Sequence, residues 1–376
     1  MNHMFPFRFD SHLSFYLVIY VLTWVVHFFL MAYVLAGSLW LVWTTLFPGT
    51  GTVPRTKQPL ARLLRDWMPF ALSGAITAGV APLLFVQILY RQQFYTSNLL
   101  LGWRWMVVIP VLVAAFYLLY VVKSETASRW PLIARLGLSI GIAACFLFVA
   151  FCWTANHLLS LSSAVWPEAY RSGEAVRSTF ALSMRLLTWV AGTFPTMSIL
   201  ASWQLRGMRS RTAAWDASIS EAEWAVLFNT EHRRLGYASI AGIAAAFACA
   251  CGYWTTLETS VHTQLIGHAG WPWLIIAIAS SLFQIVGWVM QFRRPCLCNR
   301  WLTTITVALL TALVAVASLR EIVRLSLANL DQATTSTRAA SQVGGFRLFL
   351  VFTVLNIGLI AWCIHMVRSR KPRIPQ

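Results

Sequence analysis

From Tyr16 to Phe47 the chain runs for 32 residues without a charged side chain, and one histidine, His27, sits within that run. About 20 apolar residues cross the ~30 Å hydrocarbon core of a bilayer as a helix. A backbone in lipid must satisfy its own hydrogen bonds, so this segment has to be helical. The run is far longer than the ~7–15 residue apolar region of a signal peptide, and no small-residue cleavage pattern follows, so it reads as a span that stays. Comparable stretches recur at 68–90, 105–122, 136–165, 178–203, 236–256, 271–292, 301–319 and 348–367. Together they define an all-α fold: a polytopic membrane protein with a bundle of about nine transmembrane helices, forming a single transmembrane domain over 1–376.

Composition agrees with this. Charged residues make up 11% of the chain, against about 25% in soluble domains. The net charge of +17 does not point to nucleic acid, because the Lys and Arg side chains lie in short loops between apolar runs. There they set orientation and touch anionic headgroups. With the end of the chain placed in the cytoplasm, the segments on that side carry 19 basic residues and those opposite carry 9. This asymmetry predicts an N-terminus outside and a C-terminus inside the inner membrane of a bacterial-type cell. The longest loop, 204–235, is expected to be cytoplasmic. Trp215, Trp224, Leu227 and Phe228 are spaced within it as the apolar face of an amphipathic surface helix. Arg91–Trp105 reads as a re-entrant or hairpin element.

Chemistry-bearing residues are few. All twelve acidic residues are expected in loops or at span edges, which counts against a proton-coupled transporter. No Walker A, H-E-x-x-H or G-x-S-x-G pattern occurs. Of seven cysteines, Cys296 and Cys298 form a C-x-C with no partner pair, so no metal site is assigned. The polar residues inside spans are His27, Gln87, His157, Arg185, Gln284, Asn356 and His365. His27, His157 and Arg185 fall in the same, outer half of the membrane under the predicted orientation. Imidazoles on facing helices suit haem b, and an arginine at that depth suits a propionate or quinol oxygen. The same histidines also suit plain hydrogen bonds between helices. Gln87, Tyr90 and Tyr95, at the outer end of a span loosened by Gly79 and Pro82, form a candidate ligand pocket for a quinone.

The segment LTWVVHFFLMAYVLAGSLWLV resembles the first helix of subunit I of the cytochrome bd quinol oxidases, with His27 in the place of a haem-ligating histidine. FQIVGWVMQFRRP, Phe283–Pro295, is similar to that family's Gly-Trp helix end and the Arg and Pro that follow it. The resemblance is distant. Gln284 stands near the place of a family carboxylate, and Met184–Arg185 occupy the region of another haem histidine. It implies a membrane subunit of a respiratory or redox assembly that binds haem b or quinone alongside other membrane or electron-transfer subunits. Two other classes stay open: a non-enzymatic scaffold that has lost ancestral cofactor sites, and, less favoured, a small-molecule transporter.

Overall fold

The first charge-free run folds as one uninterrupted helix, α1, Ser11–Leu46. Several of its small hydroxyl side chains return their hydrogen bonds to the helix itself: Ser38 donates to the Leu35 carbonyl, and Thr44 and Thr45 donate to that of Leu41. None of them then needs water at depth. The computed structural model describes residues 11–47, 59–173, 179–208, 221–294, 298–327, 330–342, 350–355, 358–359, 362 and 365.

The remaining elements are helices too: α2 Pro59–Leu89, α3 Arg91–Leu101, α4 Trp103–Met106, α5 Val108–Lys123, α6 Glu125–Ser128, α7 Leu132–Leu159, α8 Trp166–Ser172, α9 Phe180–Met208, α10 Glu221–Trp254, α11 Thr259–Ile266, α12 Trp271–Phe292, α13 Asn299–Leu327 and α14 Leu330–Gln342. Among the described residues, seven helical segments are long and apolar enough to cross a membrane: α1, α2, α4 with α5, α7, α10, α12 and α13. An eighth, α9, has 29 residues, which is ~43 Å of helix. It carries Arg185 and a row of small polar residues, yet Thr193, Thr196, Ser198 and Ser202 are fully buried. Its neighbours are α1, α2, α7, α10 and α13. A helix contacted by five others can bury such a polar face, while Phe180, Leu187 and Trp203 remain as its exposed apolar side. Half of the expected ninth span, 348–367, lies outside the described residues.

Successive long helices run antiparallel. His27 of α1 meets Ala75 of α2, and Ser202 of α9 meets His232 of α10. The α9/α10 seam depends on a close approach. Pro195 cannot donate to the Ala191 carbonyl one turn back. Gly242 brings the α10 backbone against that oxygen, where a Cβ would sit 2.8 Å from it.

Among the described residues, the two largest apolar clusters lie one at each end of the bundle. At the end marked by Trp40, the core joins Leu60, Leu63, Leu64, Met68, Leu119, Phe146, Met197, Leu205, Trp224, Phe228 and Leu235. At the end marked by Leu13 it joins Tyr16, Leu17, Phe85, Leu89, Phe94, Val261, Ile322 and Leu325. The Leu13 end is roofed by short helices: α3 packs on α7, α11 on α13, and α14 on α1 and α2.

Two expectations about the loops meet a different arrangement. Within 204–235, α9 continues to Met208 and the residues from Glu221 are the first turns of α10. Trp224 and Phe228 are buried in the protein core rather than laid on a membrane surface. Trp215 lies outside the described residues. The other difference concerns the end of α13. Residues 320–327, read from sequence as loop, continue the helix and bury Glu321 completely. With Glu231 of α10 also buried, two carboxylates are inside the protein among the described residues.

Candidate functional site

The α13 extension places Arg320, Glu321 and Arg324 in the Leu13 end of the bundle. Arg320 and Arg324 are one turn apart and share a face. The Arg320 guanidinium stacks 4.5 Å from the Trp24 ring and 5.3 Å from the Tyr20 ring, both on α1. Its Nε donates to Glu321 Oε1 at 2.7 Å. The other Glu321 oxygen accepts from the Tyr90 hydroxyl of α2 at 2.7 Å. Arg324 lies over the Tyr90 ring at 3.8 Å and donates through Nη2 to Ser160 Oγ, just beyond α7, at 3.1 Å. Arg185, on α9, is 6% exposed and rests against the Tyr253 ring of α10 at 4.9 Å. His157, one turn before Ser160, stands in the field of Arg185, Arg320 and Arg324.

Two properties of this cluster matter. Three guanidiniums face one carboxylate, which leaves two positive charges in excess. Donors are also left over. Arg185 Nε, Arg320 Nη2 and Arg324 Nε are buried and have no hydrogen-bond partner, and His157 Nε2 and the Tyr253 hydroxyl, each able to donate or accept, are unpartnered beside them. Each buried unmade hydrogen bond costs stability, and more so when the donor is charged. A set of unmatched cationic donors is what an acceptor-rich anion would complete.

The residues singled out from sequence fall in different places. His157 and Arg185 are brought together in the cluster, and Tyr90 joins them. Tyr95 is 46% exposed and turns away. Gln87 is half-buried on α2, and no described hydrogen bond ties it to the cluster. His27 faces α2, with Nδ1 2.9 Å from the Ala75 carbonyl. Gly79 leaves room for the ring, since a Cβ there would lie 3.0 Å from His27 Cε1 and Nδ1. Sequence reading missed Arg320, Glu321 and Arg324. Their i, i+4 spacing directly after an apolar run was the available signal.

At the Trp40 end, buried polar groups are smaller and neutral for the most part. His232 Nδ1 is 3.4 Å from Ser202 Oγ, and its ring lies 5.4 Å from that of Trp288. Tyr33 donates to Gln204 Oε1 at 2.8 Å. Cys298 stands just before α13, while Cys296 lies outside the described residues. No group of three or more His, Cys, Asp or Glu side chains that could hold a metal ion occurs among the described residues.

Fold and cluster together define an all-α, multi-pass membrane protein with a cationic, aromatic-lined cluster of buried side chains at one end of its bundle. No protein-family model matches the sequence, and no curated protein matches it.

Proposed function

We propose that this chain is a ligand-binding membrane protein that receives the anionic head of a membrane-soluble molecule between α1, α2, α7, α9 and α13. The observation that carries this is the cluster's excess of two positive charges together with its three unpartnered buried guanidinium donors. A quinone head is neutral and would leave that charge uncompensated, so the cluster favours an acid over a quinone. In this reading the Leu13 end faces outward in the inner membrane. The skew of basic residues supports that orientation, and it grows once Arg320 and Arg324 leave the outer loops for the interior. Native mass spectrometry of the detergent-purified protein is expected to show a retained acidic molecule that the Arg185→Gln/Arg324→Gln double variant lacks. A protein that retains no such molecule and gains no thermal stability from any added anion would sink the proposal.

A redox subunit that holds haem b, distantly related to cytochrome bd subunit I, is the second reading, and the setting of His27 favours it. Histidines that ligate a metal through Nε2 commonly hold Nδ1–H on a backbone carbonyl, and His27 has this arrangement with Ala75. The fit is partial. His157 stands among three guanidiniums, whose field opposes a metal cation, so His27 would be the axial ligand and the arginines would meet propionates. Haem bound there would supply one-electron transfer to partner subunits. Purified protein made with ample haem is expected to show a Soret band that His27→Ala removes. A featureless visible spectrum would end this reading and leave the acid-binding one intact.

A further inference from the structure

We infer that the anion is a phosphate monoester carrying about two negative charges, on a lipid or as a free ion. This deepens the acid-binding reading and rests on it.

Charge is the first support. Arg185, Arg320 and Arg324 against Glu321 leave an excess of two, which a carboxylate or a phosphodiester would half-compensate and a phosphate monoester would match. Donor geometry is the second. Three unpartnered guanidinium donors come from three side chains on two helices, α9 and α13. A carboxylate offers two oxygens in one plane, whereas a phosphate monoester offers three terminal oxygens directed to different sides, with guanidiniums as favoured partners. Depth is the third. Arg324 is three residues and Arg320 seven residues from Leu327 at the end of α13, and Arg185 is five residues from the start of α9. At ~1.5 Å per residue all three lie within about 10 Å of the helix ends. Helices of 29 residues match the ~40–45 Å of a bilayer with its headgroups, so this is the boundary between headgroups and hydrocarbon. Lipid phosphates lie close to that level. The Tyr20, Trp24, Tyr90 and Tyr253 rings wall the cluster, so a bound phosphate would be shielded from water and its ion pairs strengthened.

The test uses the full-length protein in phosphatidylcholine nanodiscs, with thermal stability and tryptophan fluorescence as readouts. Trp24 reports directly, because it stacks on Arg320. The probes are phosphatidic acid, inorganic phosphate, phosphatidylglycerol as a phosphodiester, and oleate as a carboxylate. Phosphatidic acid is expected to raise Tm saturably, and Arg185→Gln or Arg324→Gln to weaken its binding about tenfold or more, as loss of a charge-assisted contact does. Arg324→Lys should weaken it too, because the charge stays but the fork is lost. A response to phosphatidic acid without one to inorganic phosphate identifies a lipid as the source. A response to inorganic phosphate identifies the free ion. Oleate or phosphatidylglycerol binding as tightly as phosphatidic acid would overturn the monoester while leaving an acid site standing. Silence to all four probes overturns both. Without ligand, the Arg→Gln variants should be at least as stable as the parent, since like-charge repulsion is relieved. A lower ligand-free Tm with unchanged affinity would make the arginines structural and refute the site.

Discussion

At the Trp40 end, the polar groups that enter the interior are mostly neutral: Tyr33 donates to Gln204, Ser202 sits beside His232 and Glu231 is paired with Arg234, while Trp40 Nε1, Trp288 Nε1 and Ser239 Oγ, left without a hydrogen bond, carry no charge. Around them lies a dense apolar core drawn from α1, α2, α5, α7, α9 and α10. At the Leu13 end, three arginines converge on one carboxylate, and donors remain unmatched. The first end is balanced in charge, since the buried Glu231 has its counterpart in Arg234 and charges in a low-dielectric interior are tolerated on that condition. The second carries a surplus that packing does not call for. Unbalanced charge, more than polarity as such, is the feature that separates the two ends of this bundle.

Four measurements break or sharpen that contrast. The largest effect is expected from Glu321→Gln, which strips the cluster of its facing carboxylate. Breaking a buried pair by removing one partner costs ~3–5 kcal/mol, so the ligand-free protein should lose most of its resistance to chemical unfolding in detergent. A loss no greater than that of a hydroxyl deletion would abolish the contrast between the ends. Next comes Gly242→Ala, away from either cluster. The added carbon would lie 2.8 Å from the Ala191 carbonyl and 2.9 Å from Phe194 Cβ. Overpacking of this sort costs ~1–3 kcal/mol, visible as a lower Tm with ligand affinity intact. Tyr33→Phe, at the balanced end, should cost only ~0.6 kcal/mol, the average of a side-chain hydrogen bond between membrane helices. An equal or larger loss than for Glu321→Gln would reverse the ranking.

The smallest effect is chemical. At the Trp40 end, the backbone N–H groups of Trp301 and Arg300, together with the Arg294 and Arg300 charges, hold the Cys298 thiol below its usual pKa. A lowered pKa means more thiolate at neutral pH, and reactivity that falls only as pH drops through the lowered value. In a variant with Cys298 as sole cysteine, an impermeant maleimide should label faster at pH 7 than it labels an ordinary thiol. It should do so only when added from the cytoplasmic side. Labelling of intact cells would reverse the proposed orientation.

The spans were legible because lipid imposes one rule along their whole length. Runs such as Tyr16–Phe47 admit no reading but a helix, and their boundaries in α12 coincide with the apolar run from Trp271 to Phe292. Arg185 was legible as a buried group for the same reason, since a guanidinium inside an apolar run must face protein. The other half of the cluster was not. Arg320, Glu321 and Arg324 follow an apolar run, and hydropathy scores a residue by its preferred solvent, not by the neighbours that will compensate it. Only with α1, α2 and α7 in place does Glu321 acquire Tyr90 and Arg324 acquire Ser160. The start of α10 was misjudged for a related reason. Trp224 and Phe228 have the spacing of a surface helix, and the face that α10 presents to the core has that same spacing.

The helix α9 has a consequence for how the protein is made. Its polar face suits the inside of a bundle, with Arg185 near one end and Thr193, Pro195, Thr196, Ser198 and Ser202 along it. During synthesis the bundle is incomplete when α9 emerges, so lipid is its only alternative to protein neighbours, and lipid disfavours such a face. The chain must therefore hold α9 against α1, α2 and α7, already inserted, until α10 closes the seam through Gly242. As a lone guest segment in a translocon insertion assay, α9 should enter the membrane less efficiently than α7 or α12, and adding α10 in tandem should restore it. Assembly of the binding end would then wait on α13, the helix that brings Glu321 to the arginine on α9.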